Sequence, residues 1–449
     1  MEKIEKDFDE IILKDKSKFI NKYKWMSGEF NKKNLRVNDK ILPSYFKPFF
    51  ISTDFEKRIK IFSETVNHIL KKVTRLCVEK ENFRSLLLNN DVLEELFLAD
   101  PGYDKNTFII RLDTFIRNNN IKVIEFNTDS PGEHGRSDLQ NEIFLKSGVM
   151  NGLTKKYKIN KVSIVASLLD GILDCYKNFG GENKKPVIAI TSWKSPPSYY
   201  PEHVIIKDFF NKKGIKTIIC SLDELKYKRG AVFYKSTKVD IVHRRVVSED
   251  ISRNITKIKD FIRAYENGDV FVINNFRSIP AGNKKLLSFL QQKIFDNYLT
   301  NTEKSIIREN IPQTMDFDNE NAYYKGEKVD LKRFLEKNKG RFVIKPNEGF
   351  GGKGVFVGKE CSKTKWQKII KKAFKEKTYV AQEFIKFPTM DFPIVKNNKV
   401  VFEKRNLNIN PFVINDKFVS CLTRASPSSI INISSGGAMV PTFFYRKRK

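Results

Sequence analysis

The chain has 449 residues, more than one hydrophobic core usually serves, and its apolar content of 40%, with 37 Phe, excludes disordered and collagen-like classes. A formal charge of +30 would suit a polyanion-binding protein, but the lysines are spread among 53 acidic residues without a zinc-finger spacing or an aromatic-basic RNA-binding motif, so a solvated lysine-rich surface accounts for them and no specific nucleic acid is expected. The five cysteines lack CxxC spacing, the N-terminus lacks a basic-then-apolar leader and no run approaches ~20 apolar residues, which predicts reduced core cysteines in a soluble, cytoplasmic protein without a membrane partner.

Residues 1–106 read as a helical region, with apolar positions recurring at Ile61, Phe62, Val66, Ile69 and Leu70. Within 107–159 the pattern changes to two short runs, TFIIRLDTFI and IKVIEFNTD, joined at Asn118-Asn119-Asn120, and predicts a β-hairpin. Residues two apart share a strand face, so Arg111 goes with Asp113, and Glu125 with Asn127 and Asp129. A turn at Asn119 sets Asp113 opposite Glu125 and Arg111 opposite Asn127. Opposed carboxylates destabilise a sheet unless positive charge stands between them. Arg111 supplies part of that charge, and a hard cation such as Mg2+ on Asp113, Glu125 and Asn127 would supply the rest. A hairpin whose polar face is simply wet shows the same alternation. His134, in the loop that follows, reads as a turn residue.

Between 160 and 280, runs such as VIAITSW, KTIICSL, VDIVHRR and DVFVINNF alternate with helical stretches, which predicts βαβ units around a parallel sheet. Such sheets bind ligands at the C-terminal ends of their strands, here Trp193 with Ser195 and the run His243-Arg244-Arg245. Those arginines either hold an acidic substrate or are solvated charges at a strand end. The four histidines (His68, His134, His203, His243) are scattered along the chain, and no nucleophilic triad is evident.

The last part, 281–449, opens with a predicted helix over 283–297 and then carries RFVIKPNEGFGGKGVFVGK. Gly349, Gly351, Gly352 and Gly354 satisfy GxGxxG, but Val355-Phe356-Val357 reads as a strand where a dinucleotide fold needs a helix. No Walker A ending or kinase catalytic loop is present. What remains is strand, glycine loop, strand, whose backbone N–H groups can close over phosphates beside the ammonium of Lys345. A flexible turn with a surface lysine is the alternative.

Arg111-x-Asp113 followed by Glu125-x-Asn127 resembles the magnesium and phosphate site of glutathionylspermidine synthases and the wider group of circularly permuted ATP-grasp enzymes. The order is similar too, since these groups precede the nucleotide lysines. The resemblance runs from about residue 107 to the C-terminus and lacks the amidase domain of the bifunctional relatives. It implies an α/β ATP-grasp fold, circularly permuted, with a Rossmann-like parallel-sheet domain over 160–280, and a nucleotide-binding domain over 281–449 that shares the hairpin segment 107–159. It implies ATP and two Mg2+ ions on Asp113, Glu125 and Asn127, with Arg111 and Arg424 facing the reaction centre. Lys284 and Lys345 would contact phosphates, Gln382-Glu383 the adenine and ribose, and Asn432 with the loop 434–438 would close the site. The implied activity is ATP-dependent ligation of a small-molecule or peptide carboxylate to an amine through an acyl phosphate. A non-catalytic ATP-binding scaffold or a basic polyanion-binding protein are the alternatives.

Overall fold

Alternation decides which faces the strands bury. In the strand Ile109–Arg117, Ile110 and Leu112 enter the main core, which leaves Arg111 and Asp113 on the other side. The computed structural model, which describes residues 3–37, 40–193, 200–349 and 351–448, builds this strand into a six-stranded antiparallel sheet. Its order is Ala438–Val440, Lys417–Ser426, Lys399–Ile414, Ile109–Arg117, Asn120–Asn127, with Thr389–Lys396 also paired to Lys399–Ile414. The hairpin near residue 113 is thus inserted beside strands from beyond residue 399.

A second antiparallel sheet orders Thr314–Asp316, Tyr379–Glu383, Phe342–Pro346 and Phe356–Val357 over its own core around Trp366. The parallel sheet expected between 160 and 280 is present, ordered Phe271–Ile273, Ile241–Arg244, Ile188–Ser192, Thr217–Ser221. All of their residues but Ile218 and Ile219 are buried, as a sheet covered on both faces requires. Alternation in LKYK, AVFY and TKV builds a three-stranded meander between these strands that sequence reading missed.

The N-terminal region is helical, dominated by the 27-residue helix Thr53–Glu79. Phe62, Val66, Ile69 and Leu70 face the core, but Ile61 is exposed, because neighbours in a helix point about 100° apart. The single helix expected over 283–297 is broken into Lys285–Phe289 and a 3-10 turn Lys293–Phe295; between them Gln291 donates to the carbonyls of Ile311 and Pro312. The basic tail joins a sheet: Thr442–Lys447 pairs with Phe49–Ser52 and Tyr157–Asn160. The five cysteines are buried and free, and among the described residues no helix is long and apolar enough to cross a membrane.

Candidate active site

Asp113 stands opposite Glu125 and Arg111 opposite Asn127, the pairing expected from the sequence, but the chain reaches it by another route. The turn is made by Asn118 and Asn119, both with left-handed φ (49° and 61°), and Arg117 pairs with Asn120. Continued without interruption, that register would set Ile124 against Asp113. A bulge at Ile124, which has no partner between Val123 and Glu125, shifts the ladder by one and brings the carboxylates face to face. Asn127 Nδ2 donates to Asp113 Oδ1 at 3.0 Å, which turns its amide oxygen, an acceptor only, away from that bond.

In the strand Phe342–Pro346, Phe342 and Ile344 pack into the small core and Val343 and Lys345 face the opposite way, into a cleft of about 190 Å3. Lys345 is only 6% exposed. Its Nζ donates to the carbonyl of the bulged Ile124 at 2.6 Å and to Gln382 Oε1 at 2.8 Å, so the bulge that aligns the carboxylates also offers the carbonyl that receives this lysine. Burial, helped by the nearby Lys284 charge and opposed by Glu125 and Asp113, draws the Lys345 ammonium down to about 7. Lys284 bridges both halves of the cleft: its Nζ lies 2.9 Å from Glu125 Oε1 and donates to the carbonyl of Gly349 at 3.0 Å.

The glycine loop does join two antiparallel strands. Gly349, Gly351 and Gly352 line the cleft with left-handed φ of 100°, 77° and 72°. Gly354 does not line it; its glycine is needed because a Cβ would come 2.8 Å from Pro346 Cγ. Phe350 and Ser195 lie outside the described residues. Gln382 and Glu383 line the cleft beside Phe115, Phe384 and Phe387, and Ile430 and Asn432 form another wall.

At the far end two guanidiniums and two carboxylates alternate. Asp113 accepts from Arg111 Nε (3.0 Å) and Arg424 NH1 (3.4 Å), while Glu133 Oε2 accepts from Arg111 NH1 (3.2 Å) and from Arg424 NH2. Burial would raise the Asp113 carboxyl, but Arg111 and Arg424 outweigh it and hold it below the ordinary range. Burial works against the charge of Arg424, and Glu133 and Asp113 more than compensate. Glu133 was not identified from the sequence. Its only local signal is its position directly after the turn-forming Ser130-Pro131-Gly132.

Arg244 and Arg245 are buried, which removes the solvated-charge alternative. They are spent on the loop leading to Glu133: Arg244 NH2 donates to Asp129 Oδ1 at 2.6 Å and Arg245 NH1 to the Pro131 carbonyl at 2.7 Å. His134 is no turn residue but the buried first residue of the helix His134–Lys146. Nor are three of the four histidines scattered in space; only His68, paired with Glu303, stands apart. The rings of His134 and His243 stack 6.4 Å apart, and burial together with the Arg245 charge pushes the titration of both and of His203 well below the ordinary histidine range.

The carboxylates of one hairpin, Lys345 of another and Lys284 at the start of the helix Lys285–Phe289 therefore share one cleft, with the acidic segment first in the chain and the lysines after it. Among solved structures, a glutathione synthetase-like effector from Globodera pallida shares the fold with a TM-score of 0.62 at 12% identity, covering 95% of this chain and 97% of that one. A protein provisionally named gamma-glutamylcysteine synthetase from Methylobacillus flagellatus KT is more distant, with a TM-score of 0.40 at 10% identity over 84% and 88% of the two chains. No protein of curated function matches the sequence. The sequence itself matches the family described as circularly permuted ATP-grasp type 2 over residues 99–426, a span that contains both hairpins, Lys284 and Arg424. The chain belongs to the circularly permuted ATP-grasp type 2 family.

Proposed function

We propose that the chain is an ATP-dependent carboxylate-amine ligase that forms an amide bond. One observation carries the reading: Asp113, Glu125, Lys284, Lys345, Arg111 and Arg424, drawn from four distant stretches, line a single cleft. The donor set of Asp113, Glu125 and Asn127 is all oxygen and suits Mg2+, which when bound neutralises the triphosphate and polarises its terminal phosphoryl group.

The chain's own residues do the rest by position and charge. Lys284 and Lys345 hold the phosphates beneath the glycine loop, whose left-handed residues let the backbone approach them. Gln382, Glu383 and the apolar Phe115, Phe384 and Phe387 receive the base and ribose. Arg111 and Arg424 hold the acid and the phosphoryl group passing to it, and screen the negative charge that develops between them. The acid's carboxylate oxygen bonds to the γ-phosphorus as ADP leaves; the amine then attacks the acyl carbon of the acyl phosphate and expels phosphate.

The resemblance to glutathionylspermidine synthases and the fold of the glutathione synthetase-like effector support a small-molecule or peptide acid as substrate. In this reading 1–106 is a helical support, 107–159 and 281–449 form the ATP-grasp unit, and 160–280 faces the acid. Release of ADP across a panel of carboxylates and amines tests it. A panel in which no acid-amine pair raises ADP release above that of either component alone would sink the ligase assignment.

A further inference from the structure

We propose that the position between Arg111 and Arg424 filled by the Glu133 carboxylate is the seat of the acid substrate's reacting carboxylate, and that the Glu133 side chain holds this seat until substrate displaces it. The inference rests on the carboxylate-amine ligase reading and extends it.

Arg111 and Arg424 are each engaged by two carboxylates, Asp113 and Glu133, so a third anion can enter only if one of these yields. Asp113 is fixed in the ladder opposite Glu125, whereas Glu133 belongs to a connection between a strand and a helix. Its backbone is pinned: the N–H donates to Glu202 Oε2 at 2.9 Å, and φ is 78°, a left-handed value that a glutamate rarely adopts. The freedom that remains is in the side-chain torsions, which interconvert quickly without disturbing the helix.

The fit of Glu133 is also incomplete. Only Oε2 is used, shared by both guanidiniums, and among the described residues Oε1 accepts no hydrogen bond. Arg424, 5% exposed, keeps its Nε buried without a hydrogen-bond partner. An untethered carboxylate can present one oxygen to Arg424 NH2 and the other to this spare Nε, the two-pronged geometry in which arginine binds carboxylates most strongly. Arg111, Arg424 and Asp113 line the nucleotide cleft, so a carboxylate held by these arginines lies beside the groups assigned to the phosphoryl donor.

Acetate is the probe. Its affinity is measured calorimetrically on the full chain at constant ionic strength, both nucleotide-free and with saturating Mg2+ and ADP to occupy the phosphate lysines. Glu133→Ala is expected to bind acetate at least tenfold more tightly than wild type. Glu133→Gln, which keeps the shape and drops the charge, should shift in the same direction and decides the matter if the alanine variant does not fold. Adding Arg424→Ala should abolish the gain. Unchanged acetate affinity in a folded Glu133 variant overturns the proposal; so does a gain that survives Arg424→Ala, or a gain for inorganic phosphate without one for acetate. Mg2+·ADP binding to wild type tests the nucleotide reading separately, and the nucleotide-free titration decides the seat whatever that result.

Discussion

The ammonium of Lys345 donates to the carbonyl of Ile124, the residue that the acidic hairpin pushes out of its ladder. One irregularity thus aligns Asp113 with Glu125 and ties the sheet that carries Lys345 to the sheet that carries the carboxylates. Lys345→Met should weaken Mg2+·ATP binding at least tenfold. Thermal stability should hold within about 3 °C, because the lost hydrogen bonds are offset by no longer burying a charge. Calorimetry and thermal unfolding check both, and a collapse of the melting temperature would make the lysine a structural tie first.

Lys345 also predicts a pH dependence. Its folded value is about 7, against about 10.4 for an unfolded lysine, so between these values the unfolded chain carries the extra proton. From this group stability rises as pH climbs from about 7 to about 10, and below pH 7 the cost of the buried charge is paid in full. Phosphates favour the charged form, so nucleotide binding should take up a proton above pH 7. Affinity should fall by up to about tenfold per pH unit there, and Lys345→Arg should flatten the profile. Calorimetry in buffers of different ionisation enthalpy counts the protons; none taken up at pH 8 would contradict the assignment.

Glu125→Gln and Asp113→Asn each remove a charged oxygen ligand while keeping shape. Turnover should drop on the order of a hundredfold or more, with the far-ultraviolet circular dichroism unchanged. Wild-type turnover in either variant would discard the metal assignment.

Gly352→Ala tests the loop. Its φ of 72° disfavours a side chain, and the new Cβ would come 2.6 Å from Ile430 Cγ2. Nucleotide affinity should fall roughly fivefold, about 1 kcal/mol, with little change in melting temperature. Unaltered binding would show that the loop does not need this close approach.

Arg424→Ala should slow single-turnover transfer far more than it weakens nucleotide binding, since the arginine faces the anion end of the cleft. Equal losses in both would move it from the reaction centre to the nucleotide.

Local periodicity carried much of this into the sequence. Arg111, Asp113, Glu125 and Asn127 could be placed on one face because side chains alternate along a strand, and the strand after the glycines separated this loop from a dinucleotide fingerprint. The bulge was not legible, because Ile124 is an ordinary strand residue and only the two-residue turn forces the extra position. Glu133 and the histidines escaped for a different reason. Glu133 is defined by arginines 22 and 291 residues away, and His134 meets His243 only where a helix start packs against a strand end. Arg244 and Arg245 looked solvated because the loop they hold, 129–132, is more than a hundred residues upstream.

The pairing of Ile109–Arg117 with Lys399–Ile414 sets a timetable for synthesis. Thr114 meets its partner Ile409 across 295 residues, so the acidic strand leaves the ribosome long before the strand that covers its edge. Until then the nascent chain carries an open edge next to carboxylates that Arg424 has not yet reached. Such long-range closure slows folding, and truncation anywhere before the final strands should yield an insoluble product rather than a weaker enzyme.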